Sequence, residues 1–142
     1  MGWFKKQKIK CSAVPFEMRT GIFVVRCEGE YRDGCAGNPD AAAIRQFCKQ
    51  LVRDQDVEGI ILDYSCLTYR WGDMIESTLD IPVGAIEGRF KYVPAVFVVG
   101  KDCDEALRIL LGEDYSALCA ESVFSAMPLL EARLEPERDP SQ

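Results

Sequence analysis

The order of apolar runs and chain-breaking residues predicts a single-domain α/β protein, a sheet of mixed strands with helices packed against it. Three observations lead there. Ile22-Phe-Val-Val-Arg-Cys27, Ile60-Ile-Leu62 and Val93-Pro-Ala-Val-Phe-Val-Val-Gly100 are short runs dominated by β-branched and other apolar residues. Between and after them, Ile44, Phe47, Cys48 and Leu51, and later Ala106, Leu107, Leu110 and Leu111, recur at helical spacing. The second and third runs do not alternate with polar residues, which is the pattern of parallel strands covered on both faces by crossover helices.

In chain order, residues 7–17 and 21–27 read as two strands meeting at Met18-Arg-Thr-Gly21, where glycine suits a positive φ. Glu28 to Gly37 holds three glycines but lacks the spacing and the Lys-Ser/Thr ending of a phosphate-cradling loop, so it reads as a connection. Asn38-Pro39 places a cap and a first-turn residue at the start of a helix that ends near Arg53-Asp-Gln-Asp56. A strand follows at 58–64. Gly72 and Asp73 then read as turn and cap of a second helix, with Met74, Ile75 and Leu79 inward and Pro82, Gly84 and Gly88 stopping it. Residues 80–93 carry no clear period. After the strand at 93–100, Asp102 reads as the cap of a helix closed by Gly112. An extended piece at Ser122-Val-Phe124 and a last helix, Ser125 to Arg133, complete the order β-β-α-β-α-β-α-(β)-α, with the strands at 58–64 and 94–100 as parallel neighbours. Residues 1–17 are an arm and first strand, 18–134 the body of the domain, and 135–142, with two prolines, a flexible tail.

Composition narrows the function. The chain has 142 residues, 48% of them apolar, enough for one domain with a real core. A formal charge of -6 argues against a nucleic-acid partner, which needs concentrated Lys and Arg. Lys5, Lys6, Lys8 and Lys10 follow Trp3 and Phe4 and read as a solvated lead-in to the first strand, and no apolar run suits membrane insertion. Seven cysteines lie singly, without the two-residue gap of zinc or redox sites, which points to reduced thiols in a cytoplasmic protein. Most sit in apolar patterns as small core residues, and Cys35, in the glycine-rich loop, is the one to test for reactivity. With no histidine there is no usual general base, triad partner or metal ligand, so no cofactor and no metal are expected.

The motifs resemble a known family. Cys27-Glu-Gly-Glu-Tyr31 is similar to the strand ending in Gly-Glu-Leu of STAS domains, the domains of bacterial anti-sigma factor antagonists and of sulfate-transporter C-termini. Leu62-Asp-Tyr-Ser-Cys-Leu-Thr-Tyr69 follows that family's Leu-Asp-Leu-Ser-Gly-Val-Thr-Tyr segment. Phe97-Val-Val-Gly100, Glu105 to Gly112 and Val123 to Leu130 are similar to its closing elements, so the likeness spans residues 18–134. Where the family carries Asp-Ser-Ser-Gly, this chain has Trp71-Gly-Asp-Met74, and the position of the phosphorylated serine falls on Gly72 within one residue. The resemblance therefore implies a STAS-like fold and a protein-binding role, without the serine switch.

Three functions stay open on these residues. The first is a non-catalytic interaction module binding a protein partner through Tyr69, Arg70, Trp71, Gly72, Asp73 and Glu76, with Asp73 supplying a permanent charge near the phosphoserine position. The second is a small crotonase- or ClpP-like enzyme or remnant, with a turn amide at Gly72 and Asp63, Asp73 or Glu76 as acid or base. The third is a small-molecule or nucleotide binder at the same edge. Exposed sheet edges leave room for a homodimer.

Overall fold

The computed structural model describes residues 8–86 and 88–134. Trp3, Phe4, Lys5, Lys6 and the tail 135–142 lie outside the described residues. β1 (Ile9–Pro15) and β2 (Ile22–Glu30) form an antiparallel hairpin, in register from Ile9 opposite Gly29 to Pro15 opposite Phe23. The Phe16 amide donates to the Ile22 carbonyl at 2.8 Å, and Gly21 takes φ +88°. Hydrogen-bonded and non-hydrogen-bonded pairs alternate from there, so Pro15 falls where its nitrogen faces away from β2. That is where an edge strand tolerates proline.

β2, β3 (Gly59–Asp63) and β6 (Arg89–Val98) are parallel neighbours in the order β1-β2-β3-β6-β5, as expected for the strands at 58–64 and 94–100. Short β4 (Leu67–Thr68) continues beside the end of β2, and β7 (Cys119–Ala120) pairs with β6. The sheet is covered on both faces. Val25, Cys27, Ile60, Leu62, Ala95 and Phe97 face Ile44 and Cys48 of α1 (Asn38–Asp54) and Leu107 of α2 (Asp104–Leu111). Ile22, Ile61, Val96 and Val98 face Ala126, Met127 and Leu130 of α4 (Val123–Leu134). Ile60, Ile61 and Leu62 thus alternate between two cores, which is why the run shows no polar position. Each such fully buried side chain contributes about 1.5–3 kcal/mol relative to an exposed one.

Several expected elements differ, each for a local reason. The second helix is a seven-residue 3-10 helix, Asp73–Leu79, with Ile75 and Leu79 buried and Met74 turned out at 36% exposure. The Ser77 and Thr78 hydroxyls donate to the carbonyls of Met74 and Ile75, three residues back, and so compete with an α-helical ladder. Residues 80–86 and 89–93 are β5 (Asp80–Ile86) and the first half of β6, paired antiparallel. Pro82 therefore stops no helix; it lies on an edge strand beside a register shift between Pro82 and Gly84.

At the helix starts, the chain enters α1 through a 3-10 turn, Gly34–Gly37, so Gly37 is the N-cap and Asn38 is already helical. Cys103, not Asp102, precedes α2, and Gly72, not Asp73, precedes the 3-10 helix; none of these caps makes a side-chain bond. Ser122-Val-Phe124 is not extended, because the Ser122 hydroxyl accepts the Ser125 amide at 3.1 Å and the Ser125 hydroxyl accepts the Ser122 amide at 3.1 Å. This reciprocal cap starts α4 at Val123, after four-residue α3 (Tyr115–Leu118) and the true short strand β7.

One side chain ties the β5–β6 pair to the body. Arg133, in the last turn of α4, donates to the carbonyls of Leu79 at 2.7 Å and Ala95 at 2.6 Å and pairs with Asp80 at 2.9 Å. Arg133→Met keeps the aliphatic stem and removes these bonds, so urea unfolding is expected to show a loss of about 2–3 kcal/mol. Amide exchange should rise first in β5; unchanged stability and exchange would mean that the staple is idle.

Candidate functional site

Because β2, β3 and β6 run the same way, the segments leaving them meet at one edge, the usual ligand or partner edge of an α/β sheet. Backbone bonds join them there. The Tyr31 amide donates to Thr68 at 2.8 Å, the Tyr64 amide to Val98 at 2.8 Å and the Tyr69 amide to Asp102 at 3.1 Å. The Tyr64 hydroxyl, fully buried, shares a hydrogen bond with Thr78 at 2.8 Å and thereby connects this edge to the 3-10 helix.

The bend after Tyr69 is built from inside. Tyr69 is 2% exposed, and its hydroxyl donates to the Gly72 carbonyl at 2.6 Å. Its ring meets the ring of Tyr31 edge-on, with centroids 5.1 Å apart. Burial, with Tyr31 alongside, pushes the Tyr69 phenol well above its ordinary pKa, so it stays a donor. Burial, with Asp40 adding to it, pushes Tyr31 up to about 12. The Tyr31 hydroxyl is buried without a hydrogen-bond partner among the described residues. Gly72 turns the chain at φ +137°, a conformation that side chains rarely adopt.

Trp71 stands on this bend, 62% exposed. It is nevertheless held: its carbonyl accepts the Gly34 amide at 3.1 Å, and its indole lies so close over Gly34 that a Cβ there would sit 2.4 Å from Cη2. Beside it Arg70 Nε donates to Asp33 at 3.0 Å, an exposed pair that orients more than it stabilises. The 31–37 loop is itself clamped by Asp40. This fully buried carboxylate of the first turn of α1 accepts the Arg32 amide at 2.8 Å, Nε at 3.1 Å and Nη2 at 2.8 Å.

Of the residues expected to form the contact surface, Arg70, Trp71, Asp73 and Glu76 are exposed on one continuous stretch, while Tyr69 and Gly72 lie beneath it as support. Met74 adds apolar surface. On the side facing α2 a shallow depression of about 290 Å³ runs from Arg70 past Lys101 and Asp102 to Ile109, which is 78% exposed. Sequence reasoning missed Asp33, Gly34, Arg32 and Asp40, which position the loop. The one available signal was acidic Asp40 in a first helical turn, and that pattern also marks ordinary surface charge.

The residues considered for acid-base chemistry are disposed differently. Asp63 accepts the Ser65 amide at 3.0 Å and its hydroxyl at 2.6 Å, closing a local turn. Asp73 and Glu76 are solvent-exposed. Among the described residues no group of three or more Cys, Asp or Glu could hold a metal ion, and no helix is long and apolar enough to cross a membrane. Cys35 is exposed, as is Cys66, whose sulfur accepts Arg26 Nη2 at 3.0 Å.

No family model matches the sequence, and no curated protein matches it. The fold is matched: a solved structure described as an anti-sigma factor antagonist from Mycobacterium paratuberculosis superposes with a TM-score of 0.56 at 16% identity, covering 89% of this chain and 97% of that one. The chain has a STAS-like fold, a mixed seven-stranded sheet with helices on both faces.

Two tests follow from the support beneath Trp71. Gly34→Ala places a methyl group where the indole lies and strains φ +59°, so Trp71 should leave its seat at a loss of about 1–3 kcal/mol. Trp71 fluorescence in a Trp3→Phe background reads the displacement, and an unchanged spectrum would contradict the contact. Tyr69→Phe should lose about 1 kcal/mol with its hydrogen bond, whereas Tyr31→Phe removes an unpaired buried hydroxyl and should be neutral or stabilising by about 1 kcal/mol. Equal losses in the two variants would refute this assignment of the two hydroxyls.

Proposed function

We propose that this chain is a non-catalytic interaction module that binds a protein partner through Arg70, Trp71, Asp73 and Glu76, with Tyr69 and Gly72 as the buried frame of that surface. The observation that carries the reading is Trp71: a large aromatic side chain, 62% exposed, fixed over Gly34 instead of folded into the core. A pre-positioned Trp flanked by Arg is the residue combination that most often dominates protein-protein binding energy, because little side-chain freedom is lost on association. The fold shared with an anti-sigma factor antagonist supports a protein as the partner rather than a small molecule.

The module acts without the serine switch. Gly72 offers no hydroxyl at the position the resemblance marks, and exposed Asp73 keeps a single negative charge beside it. Phosphorylation would add nearly two charges there only on demand, so a surface built on Asp73 is constitutive. Asp73 and Glu76 favour a basic patch on the partner, facing the apolar contact of Trp71 and Met74.

Affinity capture from native lysate with the wild-type chain and with a Trp71→Ala, Asp73→Lys double variant tests the surface. The wild type should return one specific partner that the variant loses. Against that purified partner, Trp71→Ala alone should weaken binding by about thirtyfold or more, the loss expected of a dominant contact. Identical captures from both baits would place the binding surface elsewhere.

A further inference from the structure

We propose that Cys11 and Cys27 form an oxidation site, at which a hydroperoxide converts two thiols into a disulfide that fastens edge strand β1 to β2. The two residues are direct cross-strand partners, and their sulfurs lie 3.7 Å apart in the reduced chain. Counting from the Phe16 to Ile22 hydrogen bond, the pair occupies a non-hydrogen-bonded position of the ladder. There opposed Cα atoms stand about 4.5 Å apart, inside the range that a disulfide spans and near its short end. Because Cys11 is half-buried on the edge strand, a small dithiol can reach the bond, which suits a reversible modification.

The two sulfurs have unequal access. Cys27 is fully buried, whereas Cys11 is half-buried on the edge strand and can meet a small oxidant. A hydrogen bond between them holds the Cys11 thiol below its ordinary pKa and pushes Cys27 far above its own, so Cys11 is the sulfur that ionises and Cys27 keeps its proton. Cys48 of α1 lies close enough to raise Cys27 further, but burial pushes Cys48 itself up to about 12 and keeps it a thiol. Exposed Cys35 and Cys66 serve as internal comparisons.

The chemistry balances in two steps. The Cys11 thiolate attacks the terminal peroxide oxygen, the O–O bond breaks, and the departing alkoxide or hydroxide takes up a proton, leaving Cys11 as the sulfenic acid. The Cys27 sulfur then attacks the Cys11 sulfur. The S–O bond breaks, and hydroxide leaves with the Cys27 proton as water. Two thiols and one hydroperoxide give one disulfide, one alcohol or water, and one water, and the two electrons come from the sulfurs. A dithiol reductant reverses the change.

The test uses the full, reduced chain treated with one equivalent of hydrogen peroxide under native conditions, then alkylated, digested and mapped by mass. A Cys11–Cys27 linked peptide, two hydrogens lighter than its thiol components, is the expected main product. The oxidised chain should melt about 5–10 °C higher than the reduced one, because the link closes a short loop in the unfolded state. Cys11→Ser should abolish both the link and the shift, and Cys27→Ser should leave Cys11 as a sulfenic acid that dimedone captures. If Cys27→Ser does not fold, the wild-type peptide map decides alone. Full alkylation of Cys11 and Cys27 after peroxide has been consumed at Cys35 or Cys66 would overturn the proposal, as would a main product linked through Cys48.

Discussion

Inside the edge of the sheet, the hydroxyl of Tyr69 donates to the carbonyl of Gly72 while its ring rests on Tyr31, and the exposed surface depends on this arrangement. A chain that turns at φ +137° has no intrinsic reason to hold that turn. The buried hydrogen bond supplies one, and burial strengthens it by removing water as a competing donor. With the turn held, Trp71 is left outside the core, and the backbone bond from Gly34 together with the flat approach of the indole removes most of its freedom. The exposed residues are thus held in place by contacts that lie under them.

The support extends through elements far apart in the chain. Asp40 begins α1, yet its carboxylate organises the loop after β2 by accepting three N–H groups of Arg32. Without those donors a carboxylate removed from water would be strongly unfavourable; with them it fixes the loop that carries Asp33 and Gly34. On the other face Arg133 performs a similar task for the β5–β6 pair, satisfying the carbonyls of Leu79 and Ala95. Both anchors use a charged group on a helix to hold non-helical backbone. The second crossover needs this, because a 3-10 helix and an antiparallel strand pair stand there in place of one long helix packed along the sheet.

Much of the fold was legible from local pattern. The strands at β2, β3 and β6 and the helices α1 and α2 follow from apolar periodicity, and their parallel arrangement from the connections between them. The illegible parts are decided by side-chain to backbone bonds and by strand pairing at the sheet edge, neither of which periodicity records. Ser77 and Thr78 tighten the helix after Asp73, Ser122 and Ser125 start α4 where an extended piece was expected, and Pro82 is accommodated by an edge strand. At the site, Trp71 on a bend was readable from Gly72 beside it, whereas the inward placement of Tyr69 was not, since aromatic residues in turns occur both ways.

The sequence by itself determined the α/β class, the buried strands, the likeness to STAS domains and the absence of a serine hydroxyl at Gly72, because each is a property of residue type and spacing. Only the tertiary structure decided which of the neighbouring aromatics faces water, which glycine an indole covers, and that Cys11 lies opposite Cys27. Those outcomes depend on register and on contacts between segments remote in the chain, and neither is encoded in any short window of residues.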